Sequence, residues 1–175
     1  MLKSQDVVLL LKLLAKPDHL QWPQAKLAMH LCVSVSVINA GLKRLLEVDL
    51  IQLGHPGKLY QPALRCCEEF LIYGVKYMFP AKLGEITSGI ETSYAAPVLK
   101  KQILSGNDPI PVWAYAAGKQ RGMLLEPLYP SVPKSIALFP DPEFYDLLCL
   151  VDAMRQGRVR ERNLALKILK ERIKA

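Results

Sequence analysis

The side chains able to do chemistry are few and scattered. His19, His30 and His55 lie far apart with no His-Glu-x-x-His or comparable ligand spacing, so nothing marks a metal centre, and His30 reads as a helix-surface residue. Cys32, Cys66, Cys67 and Cys149 lack the paired Cys-x-x-Cys spacing of a zinc site and read as reduced, mostly buried thiols. Gly118-Lys-Gln-Arg-Gly122 is the nearest approach to a phosphate loop, but the Gly-x4-Gly-Lys-Ser/Thr order is missing, and the segment reads as a turn. There is no Gly-x-Ser-x-Gly elbow, and no nucleophile motif surrounds Cys66 or Cys67. An enzyme is therefore the less economical reading, and no catalytic residue, metal or cofactor is assigned.

What remains is charge and hydrogen bonding. The 175-residue chain has 23 Lys and Arg against 16 Asp and Glu, a net charge of +7, so its field attracts polyanions. Nucleic acid is the first candidate, although an anionic membrane surface would feel the same field. A composition 51% hydrophobic and 22% charged excludes simple disorder. The apolar run Val7–Leu11 is interrupted by Lys12 and too short to span a bilayer, which leads us to expect a cytoplasmic protein without membrane contact.

The elements that position these charges begin with a helix from Ser4, its expected cap, through Val7, Leu10, Leu11 and Leu14 to the break at Pro17. Pro23 opens a short second helix through Leu27, Ala28 and Leu31, and Ser34 caps a third in which Ile38, Leu42, Leu45 and Leu46 repeat at helical spacing. Leu50-Ile-Gln-Leu53 and Lys58-Leu-Tyr-Gln61 flank the turn-rich Gly54-His-Pro-Gly57, which reads as a hairpin. Another helix is expected from about Leu64 to Phe79. Residues 80–140 hold most of the prolines and show no clear period, so we expect ordered loops with short elements, anchored by residues such as Trp113 and Tyr115. Asp141-Pro-Glu143 starts a helix that Gly157 ends, and a last helix carries Leu164, Ala165, Ile168, Leu169 and Ile173 on one face.

Within residues 24–45 the spacing has a mechanical meaning. Ala28 is small where two helices cross, Leu27, Leu31, Ile38, Leu42 and Leu45 fill a shared core, and Ser34 caps the second helix of the pair. Over roughly residues 4–62 this pattern resembles the winged helix-turn-helix transcriptional regulators, the broad group that includes MarR-like repressors. Cys32 departs from it, standing in the turn where many members have Gly, which suggests a slightly different turn.

The resemblance implies that the helix over residues 34–47 enters the major groove of double-stranded DNA and presents Val35, Ser36, Asn39, Ala40, Lys43 and Arg44. Asn39 suits adenine, whose N6 and N7 edge an amide bonds bidentately, while Lys43 and Arg44 hold phosphates, or guanine if they point inward. Gln24 and Lys26 would reach the backbone from the start of the second helix. His55 and Lys58, in a wing over residues 54–58, would lie on the flanking groove.

The expected fold is mainly α with a small β-hairpin wing: a winged helix-turn-helix domain over residues 1–63 and a helical C-terminal lobe over 64–175 containing the Pro-rich loops. The expected function is a sequence-specific DNA-binding regulator, dimeric because a two-fold pair of recognition helices enlarges the contact. The helix from Leu64 to Phe79 and the C-terminal helices are the expected dimer surfaces, and the lobe leaves room for a protein partner or small-molecule effector. The alternative is a protein-interaction module, antitoxin-like or an adaptor. The Arg155, Arg158, Arg160 and Arg162 cluster reads equally as a phosphate site or as surface pairing, Arg155 with Asp152 and Arg160 or Arg162 with Glu161 or Asp146.

Overall fold

The first helix, α1 (Ser4–Ala15), buries Val7, Val8, Leu9, Leu10, Leu11 and Leu13, and a helix apolar on every side has to be enclosed on every side. The computed structural model that shows this describes residues 1–56, 60–104 and 106–174. Ser4 is the first helical residue rather than the cap, and Asp6 takes the backbone N–H of Lys3 at 2.8 Å instead.

After a 3-10 turn (Pro17–Gln21) come α2 (Gln24–Leu31), started by Pro23, and α3 (Val35–Glu47), whose cap Ser34 accepts the Val37 N–H at 3.4 Å. The chain bends by 107° between α2 and α3, within the ~90–120° of a helix-turn-helix pair. Cys32 makes that bend in the left-handed region, at φ 55° and ψ 43°. The expected difference in turn geometry is therefore absent. The backbone is the one a Gly adopts freely, and Cys holds it at a cost of about 1–2 kcal/mol. Strands β1 (Ile51–Leu53) and β2 (Tyr60–Pro62) pair antiparallel, with Gln52 opposite Gln61, as the sequence leads one to expect.

The helix expected from Leu64 to Phe79 consists of α4 (Leu64–Glu69), a π-helical turn (Phe70–Gly74) and α5 (Val75–Met78). Residues 80–140 differ most from expectation, since a second, three-stranded sheet stands where ordered loops with short elements are expected. β3 (Leu83–Glu91) runs antiparallel to both β4 (Pro111–Ala114) and β5 (Gln120–Leu125), while β4 and β5 are parallel, so the three strands close on one another. Such tight closure needs strands without side chains at the crossings. A Cβ on Gly89 would stand 1.8 Å from the Trp113 carbonyl oxygen, and one on Gly122 2.1 Å from that of Ile110. A 3-10 turn (Ser93–Ala95) and the short helices α6 (Pro97–Lys100) and α7 (Val132–Leu138) complete the segment.

Helix α8 (Pro142–Gln156) is buried along most of its length, and α9 (Val159–Lys174) covers it with Ala165, Leu169 and Ile173. α1 packs on α3 on one side and on α8 on the other, so one continuous apolar cluster runs from Leu2 to Ile173. The boundary expected at residue 63 therefore does not separate two cores. Polar links cross it as well: Lys12 Nζ meets Asp141 at 2.7 Å with both side chains buried, and the Ser135 hydroxyl donates to the His30 carbonyl at 2.6 Å. No single helix among the described residues is long and apolar enough to cross a membrane.

Candidate nucleic-acid interface

Helix α3 has two unlike faces. Ile38, Gly41, Leu42 and Leu45 are buried, while Val35, Ser36, Asn39 and Lys43 are exposed and recur at three and four residues. Ala40 is half-buried at the flank of this ridge rather than on it. The Asn39 Nδ2 donates to Gln24 Oε1 at 3.4 Å, a long contact from the first turn of α2. It engages one of the two amide hydrogens, and among the described residues the other, with Oδ1, has no partner. A donor beside an acceptor on one planar group is the pairing that the N7 and N6 edge of adenine requires.

Arg44 departs from its expected role. Its Nε reaches Asp6 Oδ2 at 2.7 Å and its Nη2 reaches Oδ1 at 2.8 Å, a fork on a carboxylate that is wholly buried. The guanidinium joins α3 to α1 and is not a free phosphate ligand. Gly41 permits the approach, since a Cβ there would meet Asp6 Oδ1 at 3.0 Å and the Leu9 side chain at 3.1 Å. In the sequence Asp6 reads only as a first-turn acid, because a partner 38 residues away leaves no local signal.

Lys26 is exposed, and its ammonium sits 4.1 Å from the centre of the Trp22 ring, a cation–π contact that restrains its reach. His55 is exposed in the hairpin loop; Lys58 lies outside the described residues.

An aromatic and ionic network holds the start of α2. Trp22 packs between His19 and His30, at 4.3 and 4.6 Å between ring centres, and His30 stacks on Phe139 at 4.5 Å. His30 is thus half-buried and tied to the C-terminal half, not the surface residue expected. Burial lowers the pKa of His19 and of His30, with the nearby Lys12 charge acting in the same direction. Burial alone would raise Asp141, but the hydrogen bond and charge of Lys12 outweigh it and hold the carboxyl below its ordinary value.

A second buried carboxylate, Asp152, accepts Thr92 Oγ1 and Trp113 Nε1 at 2.7 Å and Arg155 Nη1 at 2.8 Å. Arg155 also donates Nε to the Phe79 carbonyl at 2.7 Å. With Asp152 sealed from solvent and both oxygens engaged, this cluster ties the three-stranded sheet to α8. Arg155 has the partner expected from the sequence, Asp152, but as a buried pair rather than a surface one, and Asp146 pairs with Arg172 at 2.8 Å and not with Arg160 or Arg162.

Of the four free thiols, Cys67 and Cys149 are buried, Cys32 is half-buried and Cys66 is exposed, so fewer are buried than expected. Burial pushes Cys67 up to about 12, and its Sγ–H donates to the Leu50 carbonyl at 3.2 Å, the state of a structural thiol and not of a nucleophile. Among the described residues no group of His, Cys, Asp or Glu is placed to hold a metal ion. No protein-family model matches the chain, and neither a characterised protein nor a solved structure is significantly similar to it.

Proposed function

We propose that the protein is a sequence-specific, duplex DNA-binding regulator of transcription with a winged helix-turn-helix reading head. In this reading α3 lies in the major groove, the β1–β2 hairpin is the wing on the flanking groove, and Asn39 reads adenine. The observation that carries it is the exposed ridge of Ser36, Asn39 and Lys43, with Asn39 steadied by Gln24 and two complementary groups of its amide left open. Lys43 contacts phosphate and Arg44 fixes the seating of α3 from behind. Exposed Tyr73, Tyr77 and Met78 on the α4–α5 helix serve self-association, giving the two-fold pair of heads that a palindromic site needs. A cavity of about 380 Å³ between α1, β2, α8 and α9, walled by Leu13, Leu20, Pro62, Leu147 and Ile173, gives space for an effector.

The test is a pair of substitutions with different signatures. Asn39→Ala should weaken only sequences carrying the read adenine, by about 1–3 kcal/mol, and so relax base preference. Lys43→Gln should weaken every sequence alike and shallow the salt dependence by about one charge. The same exposed aromatics favour a second reading, a protein-interaction module. A stoichiometric protein complex indifferent to Lys43 charge reversal, with no duplex binding, would establish that reading instead.

A further inference from the structure

Helix α9 carries six cations against two acids, a net +4 of the chain's +7. At ~100° per residue Arg160, Asn163, Lys167, Lys170 and Lys174 fall within about 80° of arc, opposite the buried Ala165, Leu169 and Ile173. Arg160, Asn163, Lys167 and Lys174 are exposed and Lys170 is half-buried. Among the described residues none of these four cations is in an ion pair, whereas Arg155, Arg158 and Arg172 have acidic partners. Neither acid of the helix lies in the stripe: Glu161 bonds the Arg158 backbone N–H, and Glu171 falls at its edge.

We propose that this outer face of α9 is a second duplex contact, a surface for the phosphate backbone that adds affinity without reading sequence. From Arg160 to Lys174 the stripe spans about 21 Å, at ~1.5 Å per residue. That matches about six base pairs of one strand at ~3.4 Å each. A membrane surface suits the helix less well, because the apolar face that an interfacial helix would insert is already packed on α8 and α4. Self-pairing is disfavoured too, since a two-fold axis on this face would set like charges together, which leaves the α4–α5 helix as the dimer surface. The inference rests on the chain binding duplex DNA, but not on its reading sequence with α3.

The experiment uses the full chain with Arg160, Lys167, Lys170 and Lys174 all changed to Gln, and a random-sequence duplex as the probe, over a range of salt concentrations. A second variant with all four as the opposite cation (R160K, K167R, K170R, K174R) controls for structure, and circular dichroism confirms that both fold. If all four cations meet phosphates, the slope of log K against log salt becomes shallower by about 3.6 in the Gln variant, at ~0.9 per contact, and returns in the charge-conserving variant. A wild-type slope in the Gln variant overturns the proposal while leaving a role for Asn39 and Lys43 intact. Loss of binding to phosphatidylserine vesicles, with duplex binding unchanged, overturns it in favour of a membrane surface. Conversely, an Asn39→Ala protein with unaltered base preference defeats the sequence-reading role but not this one.

Discussion

Removing Arg44 tests whether it is a structural link or a DNA ligand. In Arg44→Ala the Asp6 carboxylate, wholly buried, keeps only the Lys3 N–H as a hydrogen-bond partner among the described residues. Stranding one member of a buried ion pair costs about 3–5 kcal/mol. Arg44 is itself 18% exposed, so part of that attraction is already screened and the lower end, about 3 kcal/mol, is expected. With a urea m-value of ~2 kcal/mol/M for a small protein, the unfolding midpoint should fall by about 1.5 M. Lys43→Ala, one residue away on the exposed ridge, should stay within about 0.5 kcal/mol of wild type. A double-mutant cycle with Asp6→Ala should return a coupling of about 1–3 kcal/mol. An Arg44→Ala protein destabilised by less than about 1 kcal/mol, yet impaired for all duplexes, would refute the assignment and restore Arg44 to the DNA-contacting set.

Two further outcomes bear on the scaffold. Gly89→Ala should collapse the three-stranded sheet, because its Cβ would overlap the Trp113 carbonyl, whereas Gly106→Ala, with nothing within 4 Å, should be neutral; Trp113 near-ultraviolet dichroism and Tm report both. His19 and His30 bind protons less readily folded than unfolded, so their contribution is intact above the unfolded value of about 6.5 and is lost as the pH falls through the lowered folded values. Burial raises Asp146 and Asp152, which acts in the opposite sense, so the comparison is between wild type and His30→Phe, which keeps the stack on Trp22 and Phe139. Between about pH 7.5 and 5.5 the wild type should lose more Tm than the variant; equal losses would contradict the His30 share.

The elements set by short-range patterns were legible in the sequence. The α2–α3 pair follows from Pro23, Ser34 and the leucine spacing, the hairpin from its turn residues, and α8 from Asp141-Pro-Glu143. The three-stranded sheet was not, because its strands are short or rich in glycine and their pairing joins residues as distant as Leu83 and Leu125. The exposed ridge of α3 was legible for the same periodic reason, but the engagement of Arg44 by Asp6 was not, and neither was the anchoring of His30 by Phe139. Both depend on which helices meet in the folded chain, and that is decided by the shared core through α1 and α8.

The most direct test of the DNA-binding claim is selection of bound duplexes from a random pool at near-physiological salt, with wild type and an Asn39→Ala, Lys43→Gln double variant side by side. A palindromic motif containing adenine should be recovered by the wild type and lost by the variant. No enrichment above non-specific binding by the wild type, or the same motif recovered by both proteins, would contradict it.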